Sequence, residues 1–120
     1  MTVSLHGLRS VIYPAPELPA ATEWWSELLG VRPYFEEPFY VGFEVGGYEL
    51  GLLPSADPAD GAQTLWGVDD VAAAMAQAVA LGAVEHGAAT DVGDGIVTGS
   101  VRTPGGAILG FIYNPHFRAT

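Results

Sequence analysis

One pattern occurs twice along the 120 residues of the chain, and it constrains the fold more than any other feature. In each occurrence a strand-like segment is followed by a helix-like segment that stops at Leu-Gly, first at Leu29-Gly30 and then at Leu81-Gly82. More strand-like segments follow, and a Gly-Gly pair precedes the last of them, at Gly46-Gly47 and at Gly105-Gly106. Repetition of this kind indicates two copies of one supersecondary unit.

Prolines, glycines and alternating apolar residues delimit the elements of the first copy. A β-branched and aromatic run over 8–13 ends at Pro14 and predicts a strand. Pro19 near the start and Gly30 after the end delimit a helix over 19–29, with an apolar face formed by four residues: Ala21, Trp25, Leu28 and Leu29. Alternation predicts a strand over 39–45, which the Gly-Gly turn joins to a strand over 48–53. A short strand around 33–35 completes the set.

The second copy follows the same order. A strand is predicted over 63–68, and Asp69 or Asp70 caps a helix over 71–81, which Gly82 ends. A short strand around 84–86 precedes a loop at Asp91–Gly95 that is rich in glycine and aspartate. Two further strands are predicted over 96–102 and 107–113.

These elements predict an α+β fold of two βαβββ modules. The modules form a curved mixed sheet around a cleft, and the helices lie on the outer face. We interpret the whole chain, 1–120, as a single domain, with module one at about 5–54, a linker at 55–62 and module two at 63–115.

Charge and composition exclude several classes of function. The chain carries 14 acidic and 4 cationic side chains, a net charge of −10, which disfavours binding to nucleic acid or to an anionic membrane. It has no cysteine, which excludes disulfides, thiolate metal sites and cysteine nucleophiles. No apolar run is long enough for a membrane helix, and no signal peptide is evident at the start. We therefore expect a cytoplasmic protein.

The repeated βαβββ pattern resembles the vicinal oxygen chelate superfamily, which includes glyoxalase I, bleomycin-resistance proteins and extradiol dioxygenases. The local marks of the resemblance are Trp24-Trp25 within the first helix, Val68-Asp69-Asp70-Val71 before the second, and Thr103-Pro104-Gly105-Gly106 before the last strand. The resemblance covers essentially the whole chain and implies a small-molecule cleft and a homodimer. A shared fold does not by itself imply a shared reaction.

Enzymes of this family hold a divalent metal through four strand residues. The resemblance places these positions at Ser10, Gln63, Gly110 and Gly51, with Glu49 as the alternative to Gly51 in another register. Serine is a poor ligand and glycine offers no side chain, whereas oxygen-coordinated metal sites need several strong donors. We therefore expect no metal and no other cofactor.

Strand alternation predicts which side chains face the cleft. Most of them are apolar or glycine, which is typical of a small-molecule site, and an interior glycine often marks close approach of a ligand. Glu49 is the candidate for acid–base catalysis if it is desolvated, and the alternative is a solvated edge-strand carboxylate. Gly67 is also predicted to face the cleft. The predicted ligand-binding residues are Ser10, Ile12, Tyr40, Glu44, Gly51, Leu53, Gln63, Leu65, Ile108, Gly110 and Ile112.

Three functional hypotheses remain open at this point. The first is a protein that binds a small, largely apolar molecule in its cleft without metal, similar to the bleomycin-resistance proteins. The second is a lyase or isomerase in which Glu49 moves a proton and Gln63 orients the substrate, with a weakly held metal as a variant. The third is a structural or regulatory domain whose cleft is vestigial.

Overall fold

A computed structural model describes residues 2–117, which contain two α-helices, eight β-strands and one short 3-10 turn. The elements follow the order βαβββ twice, which confirms the α+β class and the internal repeat. The chain separates into two compact units. The first module is Ser10–Ala62, and the second module comprises the chain from Gln63 onward together with the residues before Ser10.

The first module is a four-stranded sheet with one helix packed on it. The strands lie in the order β2-β3-β4-β1, with β1 parallel to β4 and the other neighbours antiparallel. The elements are β1 (Leu8–Pro14), α1 (Leu18–Leu29), β2 (Phe35–Glu37), β3 (Tyr40–Val45) and β4 (Tyr48–Leu53), followed by a 3-10 turn at Pro58–Asp60.

Helix α1 covers one face of that sheet. Its end is set by Gly30, which adopts a left-handed φ of 73° and donates its N–H to the Ser26 carbonyl. The inner side of the helix includes Thr22 and Ser26, whose hydroxyls donate to carbonyls one turn earlier at 2.8 and 2.7 Å. The buried apolar residues of this core are Ala15, Leu18, Val41, Phe43, Leu50 and Leu52.

The second module repeats this arrangement with its own helix and core. The strands lie in the order β5-β8-β7-β6, with β5 parallel to β8. The Asp70 carboxylate caps α2 by accepting the Ala73 N–H at 3.0 Å. The elements are β5 (Gln63–Gly67), α2 (Val71–Ala80), β6 (Val84–Gly93), β7 (Ile96–Arg102) and β8 (Ile108–Tyr113). The buried core residues are Val68, Val71, Ala74, Met75, Ala78, Ala83, Val101 and Phe111.

Three sequence expectations about these elements are wrong. The loop expected at Asp91–Gly95 is shorter, because β6 runs on to Gly93 and only the left-handed Asp94 and Gly95 turn the chain. Nearly every β6 residue is exposed, so the strand has no alternating pattern to detect. Leu28, assigned to the buried face of the first helix, is 60% exposed, and the short strand expected at 33–35 lies at Phe35–Glu37.

Within residues 2–117, neither helix is both long and apolar enough to cross a membrane.

Each sheet has a second face that its helix does not cover. In the first module Val41, Phe43, Leu50 and Leu52 point to α1, so the alternate residues of β3 and β4 lie on the opposite face. Cross-strand pairing sets Ser10 beside Glu49 and sets Ile12 and Gly42 on either side of Gly51. We call this surface the open face of the first module.

Candidate functional site

A carboxylate held by two tyrosines lies on the open face of the first module. Glu49 is the second residue of β4 and is half-buried. The Tyr40 hydroxyl donates to its Oε2, and the Tyr34 hydroxyl donates to its Oε1. Tyr40 begins β3 and Tyr34 lies just before β2, so a single β-meander brings all three side chains together.

Two glycines provide the space that this arrangement needs. Gly42 and Gly51 are cross-strand partners at the centre of the open face. A Cβ atom on Gly51 would overlap the Tyr40 ring and hydroxyl, and one on Gly42 would lie 3.1 Å from the Tyr34 ring. Each tyrosine therefore lies over a bare stretch of backbone, where any other residue would displace it.

Burial and the neighbouring carboxylate keep both phenols protonated. Burial is the largest cause of the raised pKa of Tyr40, and the charge of Glu49 and its hydrogen bond add to it. Tyr34 is 62% exposed as a residue, and its pKa is raised by partial desolvation of its hydroxyl and then by the same carboxylate. At neutral pH both hydroxyls are therefore donors, and Glu49 is their shared acceptor.

The surroundings of this cluster are aromatic on one side and aliphatic on the other. The ring of Phe35 lies 6.5 Å from the ring of Tyr34 and 6.2 Å from that of Tyr40, so it packs against both. Ile12 and Leu53 are half-buried on the same face, while Glu44, directly opposite Glu49 on β3, is exposed. The open face therefore presents one anchored carboxylate within a largely apolar surface.

The predicted residues of the second module share the open face of their own sheet. Leu65 of β5 pairs with Gly110 of β8 and its side chain occupies the space over that glycine. Ile108 is buried and Ile112 is half-buried on the same strand, and Gln63 begins β5.

The fold brings into these faces several polar residues that the sequence pattern did not indicate. In the second module Ser100 pairs with Gly110, and its hydroxyl lies 3.0 Å from Nδ1 of His86. In the first module Tyr34 was missed because the short strand expected at 33–35 has too few residues for alternation to assign a face, and in the structure Tyr34 precedes β2. The signal that could have found it is Gly42, an interior strand glycine that implies close approach of another group.

The space beside three glycines of the predicted set is filled by the chain itself. Tyr40 lies over Gly51, Leu65 over Gly110, and Arg9 over Gly67. These glycines therefore admit side chains of the protein and do not leave room for a ligand directly above the backbone.

The family's divalent metal does not fit these residues. The ligand positions that the resemblance places at Gly51 and Gly110 have no side chain, and Tyr40 and Leu65 occupy the volume where one would project. Both oxygens of Glu49 already accept phenol hydrogen bonds. No group of three or more His, Asp or Glu side chains within residues 2–117 is arranged to hold a metal ion.

Comparison with known proteins identifies the family that this arrangement is similar to. The family model described as Glyoxalase/Bleomycin resistance protein/Dioxygenase superfamily matches residues 7–111. No curated protein matches the sequence.

Solved structures of low sequence identity share the fold. A variant of the Streptomyces coelicolor methylmalonyl-CoA epimerase, in complex with 2-nitronate-propionyl-CoA, is 16% identical with a TM-score of 0.73, over 98% of this chain and 100% of that chain. A superfamily member from Vibrio splendidus 12B01 is 16% identical with a TM-score of 0.65, over 89% and 99%. The Mn(II)-bound glyoxalase from Novosphingobium aromaticivorans is 15% identical with a TM-score of 0.71, over 93% and 40%.

Replacing Glu49 with glutamine tests the tyrosine cluster. The raised pKa values mean that the phenols stabilise the fold fully below pH about 10, the ordinary tyrosine pKa, and that this stability is lost at higher pH as they ionise. In Glu49→Gln we expect the pKa of Tyr34 and Tyr40 to fall toward the ordinary value and to stay above it, because burial remains. Titration followed by the ultraviolet absorbance of tyrosinate measures the pKa values of both tyrosines.

Glu44→Gln is the matched control, since it removes an exposed carboxylate on the same face that holds neither of these two tyrosines. Its titration curve should overlay that of the unaltered protein. Identical curves for Glu49→Gln and the unaltered protein would contradict the hydrogen-bonded cluster.

Proposed function

Because the chain belongs to the Glyoxalase/Bleomycin resistance protein/Dioxygenase superfamily, we propose that it binds a small, largely apolar molecule without a metal. The observation that carries this proposal is the carboxylate of Glu49, which Tyr34 and Tyr40 fix in place through both of its oxygens. In this role Glu49 recognises a hydrogen-bond donor on the ligand.

The chemistry of the open face supports this assignment. Each carboxylate oxygen has two acceptor sites, so Glu49 can accept an N–H or O–H from a ligand while it keeps both tyrosines. Ile12 and Leu53 supply apolar contact on the same face, and Ser10 lies beside Glu49 as a further polar group. An apolar surface with a few placed polar groups is typical of small-molecule recognition.

Five more predicted contacts stay part of the proposal. They are Tyr40 in the first module and Gln63, Leu65, Ile108 and Ile112 in the second, of which Gln63 is the polar one. The proposal leaves out Glu44, which is exposed, and Gly51 and Gly110, which lie beneath Tyr40 and Leu65. We also propose that the protein is a cytoplasmic homodimer, as the family resemblance implies, and light scattering in solution would give its mass.

A second candidate is an isomerase or lyase in which Glu49 moves a proton. The observation that favours it is the fixed orientation of this carboxylate, because a general base must be held within reach of the proton that it removes. In this reaction Glu49 takes a proton from a carbon next to a carbonyl and returns it, so no co-reactant is consumed. One structural neighbour is a methylmalonyl-CoA epimerase in complex with methylmalonyl-CoA.

Binding of simple probes tests the first candidate. Indole carries an apolar ring and one N–H donor, and naphthalene is a comparable apolar molecule without a donor. We expect indole to shift the amide signals of Ile12, Gly42 and Gly51 in nitrogen-15 spectra until they saturate. The Glu49→Gln variant should bind indole about tenfold more weakly, which is the loss typical of removing a hydrogen bond to a charged group. Its affinity for naphthalene should equal that of the unaltered protein.

Glu44→Gln again serves as the control and should bind indole as the unaltered protein does. Shifts confined to other surfaces, or equal affinity in Glu49→Gln, would refute the assignment of Glu49 as the anchor.

Isotope exchange tests the second candidate. An isomerase of this kind exchanges the carbon-bound proton of methylmalonyl-CoA for deuterium in heavy water, which mass spectrometry detects. Exchange that is lost in Glu49→Gln and kept in Glu44→Gln would establish this activity. If the chain does not exchange the proton of this thioester, or if Glu49→Gln exchanges it equally, then Glu49 is not the base in that reaction.

A further inference from the structure

The second module contains a cavity of about 120 Å³, whose described wall shares Ile112 with the proposed ligand contacts. Its wall includes Arg9, Phe117 and Asn114. It also includes Gly67, Ile112, His6 and Asp69. Neither Tyr34 nor Tyr40 is among the described residues that line this cavity.

Arg9 is held at this cavity by packing on the faces of its planar group. Three of its guanidinium atoms lie at 2.9 to 3.0 Å from the point where a Cβ of Gly67 would stand, so the group lies flat against bare backbone. The Cζ atom lies 4.0 Å from the centre of the Phe117 ring. Face contacts of this kind leave the N–H edge of the guanidinium available, and that edge is the part that recognises oxyanions.

The charge of Arg9 is not neutralised by the described part of the chain. Arg9 forms no ion pair with a described residue, whereas Arg32 pairs with Glu23 and Glu36, and His6 pairs with Asp69. This is notable in a chain with 14 carboxylates and 4 cations, where an arginine has many potential partners. A half-buried cation of this kind is stabilised when an anion enters beside it.

The other polar groups of the wall are compatible with a small anion. The Oδ1 atom of Asn114 accepts the His116 N–H at 2.9 Å, so the amide nitrogen keeps its two donors. Asp69 is the acidic residue among the described residues of the wall. Its side chain is 89% exposed and lies 3.1 Å from His6, so water and the histidine both weaken its repulsion.

We propose that this cavity, the Arg9 pocket, is a binding site for a small oxyanion, either a free anion or a carboxylate or phosphate group of a larger ligand. Arg9 binds the oxygens through its N–H edge, Asn114 donates a further hydrogen bond, and Ile112 and Phe117 enclose the anion. The cavity volume admits a group of this size and not a whole nucleotide. The proposal is independent of Glu49, so the two can fail separately.

Titration with sodium acetate and with sodium phosphate at constant ionic strength tests the Arg9 pocket. We expect saturable shifts of the Gly67 and Asn114 backbone amides in nitrogen-15 spectra, with a dissociation constant on the order of millimolar for such small probes. The tighter of the two anions identifies the group as carboxylate or phosphate. Saturation at neither amide by either anion would overturn the proposal, and this test needs no variant.

Arg9→Gln removes the charge and keeps a polar side chain of moderate length. This variant should bind the tighter-binding anion at least about tenfold more weakly, since the substitution removes charge-assisted hydrogen bonds. Arg32→Gln removes the same charge from an exposed arginine that is paired with Glu23, and it should leave the dissociation constant unchanged. Equal affinities in Arg9→Gln and the unaltered protein would also overturn the proposal. If Arg9→Gln does not fold, the location of the shifts in the unaltered protein decides.

Discussion

The cross-strand pair of Gly42 and Gly51 is the constraint on which the candidate site depends. Because neither residue has a side chain, the rings of Tyr34 and Tyr40 lie against the sheet and bring their hydroxyls to Glu49. A methyl group at Gly51 would overlap Tyr40 and break the cluster. The chemistry of the open face is therefore decided by two positions that contribute no chemical group themselves.

The glycines also account for a structured face at positions where the family resemblance implies metal ligands. That resemblance places two ligand positions at Gly51 and Gly110, and Tyr40 and Leu65 occupy the volume beside these glycines. The tyrosines satisfy the carboxylate that a metal would otherwise neutralise, and the raised pKa values of both phenols keep them protonated as donors. A carboxylate satisfied in this way is suited to recognition of a ligand donor.

The sequence predicted the class of the fold and most of its elements, because repetition, prolines and glycines are local signals. It also predicted that Tyr40 and Glu49 share a face, since residues of adjacent antiparallel strands obey simple alternation. It did not predict Tyr34, which reaches Glu49 from outside a strand, or the Arg9 pocket, which depends on how a side chain crosses a glycine of another strand. Contacts of that kind are set by tertiary packing, and the pattern of a single segment does not encode them.

In this structure Glu49 accepts hydrogen bonds from two tyrosines, and the proposed function requires that it does not bind a metal. Electron paramagnetic resonance of Mn²⁺, added to the metal-free protein in equimolar amount, measures it without any assumption about the ligand. We expect the spectrum of the hydrated ion, with no difference between the unaltered protein and Glu49→Gln. A tightly bound Mn²⁺ signal in the unaltered protein that disappears in Glu49→Gln, and remains in Glu44→Gln, would contradict this assignment.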